Sequence, residues 1–394
     1  MFEYQYNRTL RLTLFLLLGC LVSCSGFSNR IPVANDLENG VIEEEILGAI
    51  RFWGDRVPEN IVELTKTRMS QIEDSNNGTL PHISNYLAIS GGAEDGAFGA
   101  GLLCGWTESG YRPEFEVVTG ISTGALIAPF AFLGSEYDND LEFLFTQTST
   151  KNILITSFWR KINAVVGYSA LTDTSPLSKK IDKVVTKTLF EKIAVEHLKG
   201  RRLYIGTTNL DAQRPVVWDI GALANSQHPF ALKIFKDILL ASASIPGAMP
   251  PVFFNVYDNN KLLQEMHVDG GVTSQVFFYP MSLDIKKLNS LISPNRRLYI
   301  IRNSKVGAEY KHTKNNTLSI VGRSIQTLIK SQGIGDLYKI LFVAKRDNFE
   351  YKLAYIEDDF KHDSNELFDP IYMKALFDYG FEKSKTGYNW YNSP

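Results

Sequence analysis

The fold is decided by residues 86–105, which read YLAISGGAEDGAFGAGLLCG. A short apolar run ends at Ser90, a glycine-rich turn follows, and small and apolar residues then continue from Ala97 to Gly105. A short apolar run closed by glycines is typical of a buried strand, and the longer run after it predicts a helix.

The same strand, turn and helix pattern recurs immediately afterwards. FEVVT at residues 115–119 precedes GISTG at residues 120–124, and an apolar helix is predicted from Ala125 to Leu133. Strands that alternate with helices form parallel sheets, so the sequence predicts an α/β fold with a mainly parallel central sheet. Both turns are then expected at the carboxyl ends of neighbouring strands.

Composition excludes several classes of protein. The 394 residues include 41 lysines and arginines and 43 acidic residues, a net charge of −2 that argues against a nucleic-acid binder. With 44% hydrophobic and 21% charged residues, the chain is neither disordered nor fibrous. Three cysteines provide neither a disulfide framework nor a four-ligand zinc site, and we expect no metal and no cofactor.

The first 24 residues read as a targeting segment. Arg8 and Arg11 precede an apolar run, LTLFLLLGCLVS at residues 12–23, that is too short to span a bilayer. The run ends before Cys24 in a pattern that resembles the bacterial lipobox; Cys20 fits less well because Leu-Val follows it. We expect a signal peptide over residues 1–23, a lipid anchor on Cys24 and a soluble body tethered in the cell envelope, at the outer membrane in a Gram-negative source. The alternative is an ordinary cleaved signal.

Ser122 is the candidate nucleophile. It stands at the centre of the GISTG motif, between a predicted strand and a predicted helix, which is the setting of a nucleophile elbow. The flanking glycines allow a sharp turn that presents the hydroxyl above the sheet. The motif by itself is common, and its position between a predicted strand and a predicted helix is what favours a catalytic role.

The first glycine-rich turn offers backbone N–H groups at Gly91, Gly92 and Ala93. Amides at a helix N-terminus favour negative charge, so the loop suits an oxyanion or a phosphate. A nucleotide site is disfavoured because the sequence has neither a P-loop nor a G-x-G-x-x-G pattern here. A purely structural turn is the other reading.

Asp269 is the candidate base. It lies in HVDGG, residues 267–271, at the end of another predicted strand. Two glycines after it allow a close approach of the backbone. An ordinary Asp-Gly turn is the alternative.

These motifs, together with ASASIPGAMPPV at residues 241–252, occur in the order seen in patatin-like phospholipases, and the chain resembles that family from about Tyr86 to Pro280. The resemblance implies a three-layer α/β/α fold and hydrolysis of acyl esters in membrane lipids. It also implies a dyad in which Ser122 is the nucleophile and Asp269 the base. The oxyanion hole falls on the N–H groups of Gly91, Gly92 and Ala93.

Two positions depart from the family pattern. Many members have a third glycine where Ala93 stands, a change that is mild unless φ must be positive. Many have a basic residue where Asp95 stands, and the acidic pair of Glu94 and Asp95 cannot assist an oxyanion. This second change leaves substrate preference and turnover open.

A Ser-His-Asp triad is the alternative to the dyad. His312 and His362 follow the acid in chain order, but neither has a supporting motif. His267 lies two residues before Asp269, so on a strand both side chains point to one face. We interpret His267 as a structural hydrogen-bonding residue.

The sequence therefore predicts a membrane-anchored serine acyl-ester hydrolase of the phospholipase A or lysophospholipase type. Its expected partner is a membrane phospholipid or lysophospholipid. The alternatives are an acyltransferase with the same dyad and an inactive lipoprotein that binds lipid or a partner. Aromatic residues near the motifs, such as Phe254 and Phe278, fit either an acyl groove or core packing.

We divide the chain into four parts on this basis. Residues 1–23 form the signal peptide, residues 24–80 a linker with an N-terminal helical segment, residues 81–305 the catalytic domain, and residues 306–394 a mainly helical extension packed on it. Strands are expected near residues 86–90, 115–119, 203–207, 216–220, 265–268, 298–302 and 351–356.

Overall fold

The computed structural model describes residues 30–33, 50–147, 155–156, 172–258, 261–285, 295–362, 364 and 367–394. The expected signal peptide and Cys24 lie outside these described residues. Within the part of the chain that is described, no helix combines the length and the apolar character needed to cross a bilayer.

Eleven strands are present in the described residues. They are β1 Arg51–Trp53, β2 Ile83–Ile89, β3 Val117–Ile121, β4 Ile155–Thr156, β5 Thr172–Asp173, β6 Arg202–Asn209, β7 Arg214–Asp219, β8 Val252–Asp258, β9 Lys261–Asp269, β10 Asn295–Arg302 and β11 Phe349–Tyr355.

Nine of these strands form one central sheet. Five are mutually parallel, in the order β6-β3-β2-β10-β11. Beyond β6 the sheet continues with antiparallel pairing, through β7 and β1 along one path and through β9 and β8 along another. Because β2 and β3 are adjacent and parallel, the turns that follow them meet at one edge of the sheet.

Ten helices accompany the sheet in the described residues. They are α1 Ile61–Ser75, α2 Gly96–Glu108, α3 Thr123–Leu133, α4 Asp138–Thr146, α5 Ser175–Val184, α6 Lys187–Leu198, α7 Ile220–Asn225, α8 Ala231–Ser242, α9 Thr317–Arg346 and α10 Pro370–Ser384.

Helices cover both faces of the sheet. Along β2, Leu87 and Ile89 belong to one hydrophobic core, which includes α2, α3, α8 and α10, whereas Tyr86 and Ala88 belong to a second core closed by α9. This alternation follows the two-residue period of a strand that is buried on both faces. The fold is thus a mainly parallel α/β/α architecture, as the sequence predicts.

The C-terminal segment is part of this architecture. Strand β11 pairs in parallel with β10, and α10 packs closely on α2. A Cβ at Gly101 would lie 1.9 Å from the carbonyl oxygen of Phe377, so the small residues of α2 permit this close approach. The extension after residue 305 therefore shares both the sheet and the core with the preceding domain.

Two strands of the central sheet were not anticipated, nor was the separate pair β4 and β5. Arg51–Trp53 pairs with β7, although the sequence suggested a helical or linker segment there. Val252–Asp258 forms a hairpin with β9. Arg51 explains the first difference, because its guanidinium bonds the buried carboxylate of Glu265 on β9 and so fixes a three-residue strand that has little hydrophobic pattern of its own.

Candidate active site

Ser122 occupies a strained turn between β3 and α3. Its backbone has φ 55° and ψ −124°, in the region that residues other than glycine rarely adopt. Such a conformation costs about 1–3 kcal/mol and persists only where neighbouring structure enforces it. The strand, the sharp turn and the helix are those that the GISTG motif predicts.

Ser242, at the end of α8, holds this turn. The Ser122 N–H donates to Ser242 Oγ at 2.9 Å, and the Ser242 hydroxyl donates to the Gly206 carbonyl at 2.7 Å. Ser242 is fully buried, so water does not compete for these bonds. The sequence marked the stretch that contains Ser242 but did not assign this role to it.

Asp269 lies at the end of β9, beside Ser122. Its Oδ2 accepts the Ser122 hydroxyl hydrogen at 2.6 Å, and its Oδ1 accepts the Gly271 N–H at 2.7 Å. Its own N–H donates to the Ser244 carbonyl at 3.0 Å. Two residues that are 147 positions apart are thus held in direct contact by the sheet and by the turn after β9.

Burial controls the ionisation of this carboxyl group. Desolvation raises the pKa of Asp269 to about 6, against the opposing effects of the hydrogen bonds from Ser122 and Gly271. The carboxylate is therefore ionised at neutral pH and is a stronger base than an exposed aspartate. Perturbation of this kind is common for groups that transfer protons.

The glycine-rich loop after β2 lies against the same serine. A Cβ at Gly91 would lie 3.1 Å from Ser122 Cβ, so the loop passes directly beside the serine side chain. The Gly91 N–H donates to the Gln275 carbonyl at 3.0 Å, so this amide is not free. For the N–H groups of Gly92 and Ala93, no partner is found among the described residues, so both remain available as donors.

Asn303, directly after β10, holds the glycine-rich loop in place by hydrogen bonds. Its side chain donates to the Ser90 carbonyl at 2.9 Å and accepts the Gly99 N–H at 3.0 Å. A Cβ at Gly92 would lie 2.1 Å from the Asn303 carbonyl oxygen, so only glycine fits there. Asn303 is fully buried. No sequence motif marks it, because its role arises from the parallel pairing of β10 with β2.

Part of the chain matches a known family model. Residues 87–281 match the model described as patatin-like phospholipase. The matched region contains both Ser122 and Asp269. The match indicates lipid acyl hydrolase activity.

No curated protein matches this chain. Among solved structures, VipD from Legionella pneumophila is similar at 12% sequence identity, over 79% of this chain and 68% of that one, with a TM-score of 0.37.

The patatin-like domain has an unusual residue in its glycine-rich loop. Ala93 has φ 50°, so this position does require a positive φ. The exchange of glycine for alanine is consequently not mild. A left-handed conformation costs a residue with a Cβ about 1–2 kcal/mol. The side chain partly offsets this cost because it packs on the main core.

The acidic pair after Ala93 binds the C-terminal segment. Glu94 accepts the Phe368 N–H at 2.8 Å, and Asp95 accepts the Tyr372 hydroxyl hydrogen at 2.6 Å. Burial raises the pKa of Asp95 to about 7, while the bond from Tyr372 lowers it. The two carboxyl groups that depart from the family pattern thus attach α10 to the loop. Phe368, Tyr372 and Asn303 all lie outside the residues that match the family model.

The histidines are not in contact with the dyad. His267 Nδ1 lies 2.9 Å from Thr207 Oγ1 and its Nε2 lies 3.0 Å from Glu265 Oε2, and the ring packs on Trp218 and Phe254. Burial lowers the pKa of His267. Among the described residues, neither His312 nor His362 hydrogen-bonds to Ser122 or Asp269.

Two aromatic residues near the motifs, Phe254 and Phe278, pack in the hydrophobic cores. Phe254 packs on Trp218, and Phe278 packs on Tyr86 and Phe349. The open alternative of an acyl groove at these two residues is therefore not supported. In the described part of the chain, no cluster of three or more metal-binding side chains occurs.

Proposed function

We propose that this protein is a membrane-anchored serine acyl-ester hydrolase that cleaves phospholipids or lysophospholipids with a dyad of Ser122 and Asp269. The observation that supports this proposal is the 2.6 Å hydrogen bond from the Ser122 hydroxyl to a buried carboxylate. The serine stands on a strained turn beside two amides without a partner in the described structure. Those are a nucleophile, its base and an oxyanion site.

In the first step, Asp269 removes the hydroxyl proton while Ser122 Oγ bonds to the ester carbonyl carbon. The π electron pair of the carbonyl moves to its oxygen, and the N–H groups of Gly92 and Ala93 stabilise the resulting oxyanion. When the carbonyl re-forms, the bond to the alcohol oxygen breaks. The leaving alkoxide takes the proton from Asp269, and an acyl-serine ester remains.

In the second step, Asp269 takes a proton from water as the water oxygen attacks the acyl-serine carbonyl. The second tetrahedral oxyanion occupies the same two amides. Collapse of this intermediate breaks the bond to Ser122 Oγ, which recovers the proton from Asp269. The products are a free fatty acid and the deacylated lipid, and the enzyme returns to its starting state.

Labelling with a fluorophosphonate probe tests the chemistry. We expect labelling of the wild-type protein and none of Ser122→Ala, while Ser70→Ala on the exposed side of α1 is labelled normally. The products from phospholipids, lysophospholipids and short-chain esters then define the reaction. Fatty acid transferred to an added alcohol in preference to water would indicate an acyltransferase. A folded protein that neither reacts with the probe nor releases fatty acid would indicate a binding protein.

We also propose that Cys24 carries the lipid anchor and that the protein resides in a bacterial cell envelope. Two or more acyl chains give stable attachment, which would place the domain beside its substrate. Metabolic labelling with an alkynyl fatty acid tests this. We expect Cys24→Ser to lose the label and Cys20→Ser to keep it. Equal labelling of both variants would contradict the assignment.

A further inference from the structure

Helix α9 has an apolar stripe that faces solvent in its first half. The stripe consists of Val321, Ile325, Leu328 and Ile329, which are 49%, 51%, 69% and 40% exposed. Their spacing is that of one helix face. In the second half of α9, Leu337, Ile340, Leu341 and Ala344 are buried in the second core, whereas Tyr338 and Phe342 are exposed. The stripe therefore extends over about two and a half turns of the helix in the described structure.

The opposite side of the same half-helix is polar and already has partners. Arg323 donates to the Glu309 carbonyl, and Lys330 donates to the Glu309 carboxylate at 2.6 Å. These bonds attach the segment before α9 to the polar side of the helix. Through these two half-buried side chains, the otherwise exposed first half of α9 is attached to the rest of the protein on its polar side.

The stripe leads directly to the catalytic loop. One turn after Leu328, Gln332 donates to the Val272 carbonyl at 3.3 Å and accepts from Gln275 at 3.2 Å. One further turn along, Asp336 accepts the Gln275 N–H at 2.7 Å. Val272, three residues after Asp269, is itself 43% exposed and continues the apolar surface. The stripe therefore ends close to the loop that follows Asp269.

The segment that contains the stripe is rich in positive charge. Residues 309–330 contain four cationic side chains and one carboxylate, in a chain whose net charge is −2. Lys311 and Lys314 precede α9, and Arg323 and Lys330 lie on its polar side, where both bond to Glu309. A shallow cleft of about 430 Å³ is lined by residues that include Thr313 and Leu328, so Lys311 and Lys314 are close in sequence to the cleft. An apolar helix face flanked by cations is complementary to a bilayer that contains anionic phospholipids.

We propose that the first half of α9 docks on an anionic phospholipid bilayer, with Val321, Ile325, Leu328 and Ile329 inserted at the interface. This inference rests on the proposed function, because a lipid hydrolase needs its site entrance at the bilayer. A helix with one polar side lies in the plane of the membrane. Docking of α9 would turn the loop after β9 towards the lipid surface.

A fluorescent label at the stripe tests the proposal directly. Leu328→Cys is labelled with an environment-sensitive dye in the full-length protein, reconstituted in vesicles of phosphatidylethanolamine and phosphatidylglycerol. Gln326→Cys, on the polar side, is the matched control, and the native Cys104 is buried. We expect a quencher carried on the lipid tails to quench the dye at position 328 at least about fivefold more than at position 326. Equal quenching at both positions would overturn the proposal.

Two other occupants of the stripe have their own signatures. If a second copy or another segment of this chain covers it, the dye at position 328 is already shielded before vesicles are added, and the lipid quencher does not reach it. Either result would overturn bilayer docking. The measurement is repeated in the Ser122→Ala background, so it does not depend on catalysis.

Kinetics provide the second test. Replacing both Ile325 and Leu328 with Asp should lower hydrolysis of vesicle lipid by about tenfold or more, with the rate on a soluble short-chain ester unchanged. Val195→Asp with Leu198→Asp, at exposed apolar positions of α6, controls for added charge. Unchanged vesicle hydrolysis in the α9 variant would refute docking. If the lipid quencher quenches the dye at position 328 but the protein hydrolyses no ester, the docking proposal stands and the hydrolase function is refuted.

Discussion

Asp269 accepts the hydroxyl hydrogen of Ser122 at 2.6 Å, in a position where only 6% of the aspartate and 7% of the serine are exposed. The same burial that excludes water raises the pKa of the carboxyl group to about 6. The burial of Asp269 thus determines both how strong a base its carboxylate is and what fraction of it is ionised at a given pH. The proposed dyad, which contains no histidine, would gain from this, because an exposed aspartate is a much weaker base.

The pH dependence of activity should report this pKa. The base must be ionised, so kcat/KM on a soluble ester should fall about tenfold per pH unit below about pH 6 and level off above it. Initial rates in a series of buffers measure the profile, with reassay at neutral pH to exclude unfolding. Asp74→Asn, an exposed position on α1, should leave the profile unchanged. A flat rate through this range would contradict the assignment of Asp269 as base.

Asp269→Asn should abolish activity and stabilise the protein. Folding raises the pKa of this carboxyl group from 3.8 to about 6. Its contribution to the unfolding free energy is therefore fully present below pH 3.8 and is lost as the pH rises through about 6. Asparagine never ionises, so at neutral pH the variant should gain up to about 3 kcal/mol in unfolding free energy.

Urea denaturation at several pH values measures this effect. The difference between Asp269→Asn and wild type should shrink as the pH falls from about 6 to about 4, because the wild-type carboxyl group is then neutral as well. Asp74→Asn should show no such trend. A variant that is less stable than wild type at neutral pH would indicate that the buried charge is better compensated than the structure shows.

The sequence predicted the parts of the site that depend on local pattern. The strand and turn around Ser122, the loop at Gly91 and Gly92, and Asp269 at a strand end each follow from short-range signals, and parallel pairing then brings them together. The roles of Ser242 and Asn303 were not predictable. A buried serine and a buried asparagine have no distinctive spacing, and their bonds join segments that are far apart in the chain.

The C-terminal segment shows a second limit of sequence reasoning. Glu94 and Asp95 looked like a loss of positive charge beside the oxyanion site. In the structure they accept hydrogen bonds from Phe368 and Tyr372, which are more than 270 positions away. A residue that departs from a family pattern can be explained only when its new partner is known, and that partner lies outside the matched domain.

Gly92→Ala should damage catalysis more than folding. The new Cβ would meet the Asn303 carbonyl oxygen at 2.1 Å, so the loop must move and the N–H groups of Gly92 and Ala93 leave the oxyanion position. Loss of one such donor lowers kcat by about 100-fold or more, and we expect a loss of this size with a smaller change in KM. Steady-state kinetics and circular dichroism measure the two effects. Gly335→Ala, where a Cβ meets no atom within 4 Å, is the control. Wild-type kcat in Gly92→Ala would remove the loop from the mechanism.

His267→Asn should separate stability from catalysis. The ring bridges Thr207 and Glu265 inside the core, and Glu265 also holds Arg51 of β1. Losing these buried bonds should lower the unfolding free energy by about 2–4 kcal/mol. Because both ring nitrogens bond to Thr207 and Glu265 and not to Ser122 or Asp269, activity per folded molecule at low temperature should remain at the wild-type level.

The same measurement decides between dyad and triad. His312→Ala and His362→Ala should retain both activity and stability, since neither side chain is bonded to Ser122 or Asp269 within the described structure. In a triad, loss of the histidine removes the group that carries the proton, and activity falls by several orders of magnitude. Such a loss in any one of the three variants, with folding intact, would contradict the dyad. It would mean that a histidine reaches Ser122 in a different conformation of the protein. Asp269 would then orient that histidine and would not act as the base itself.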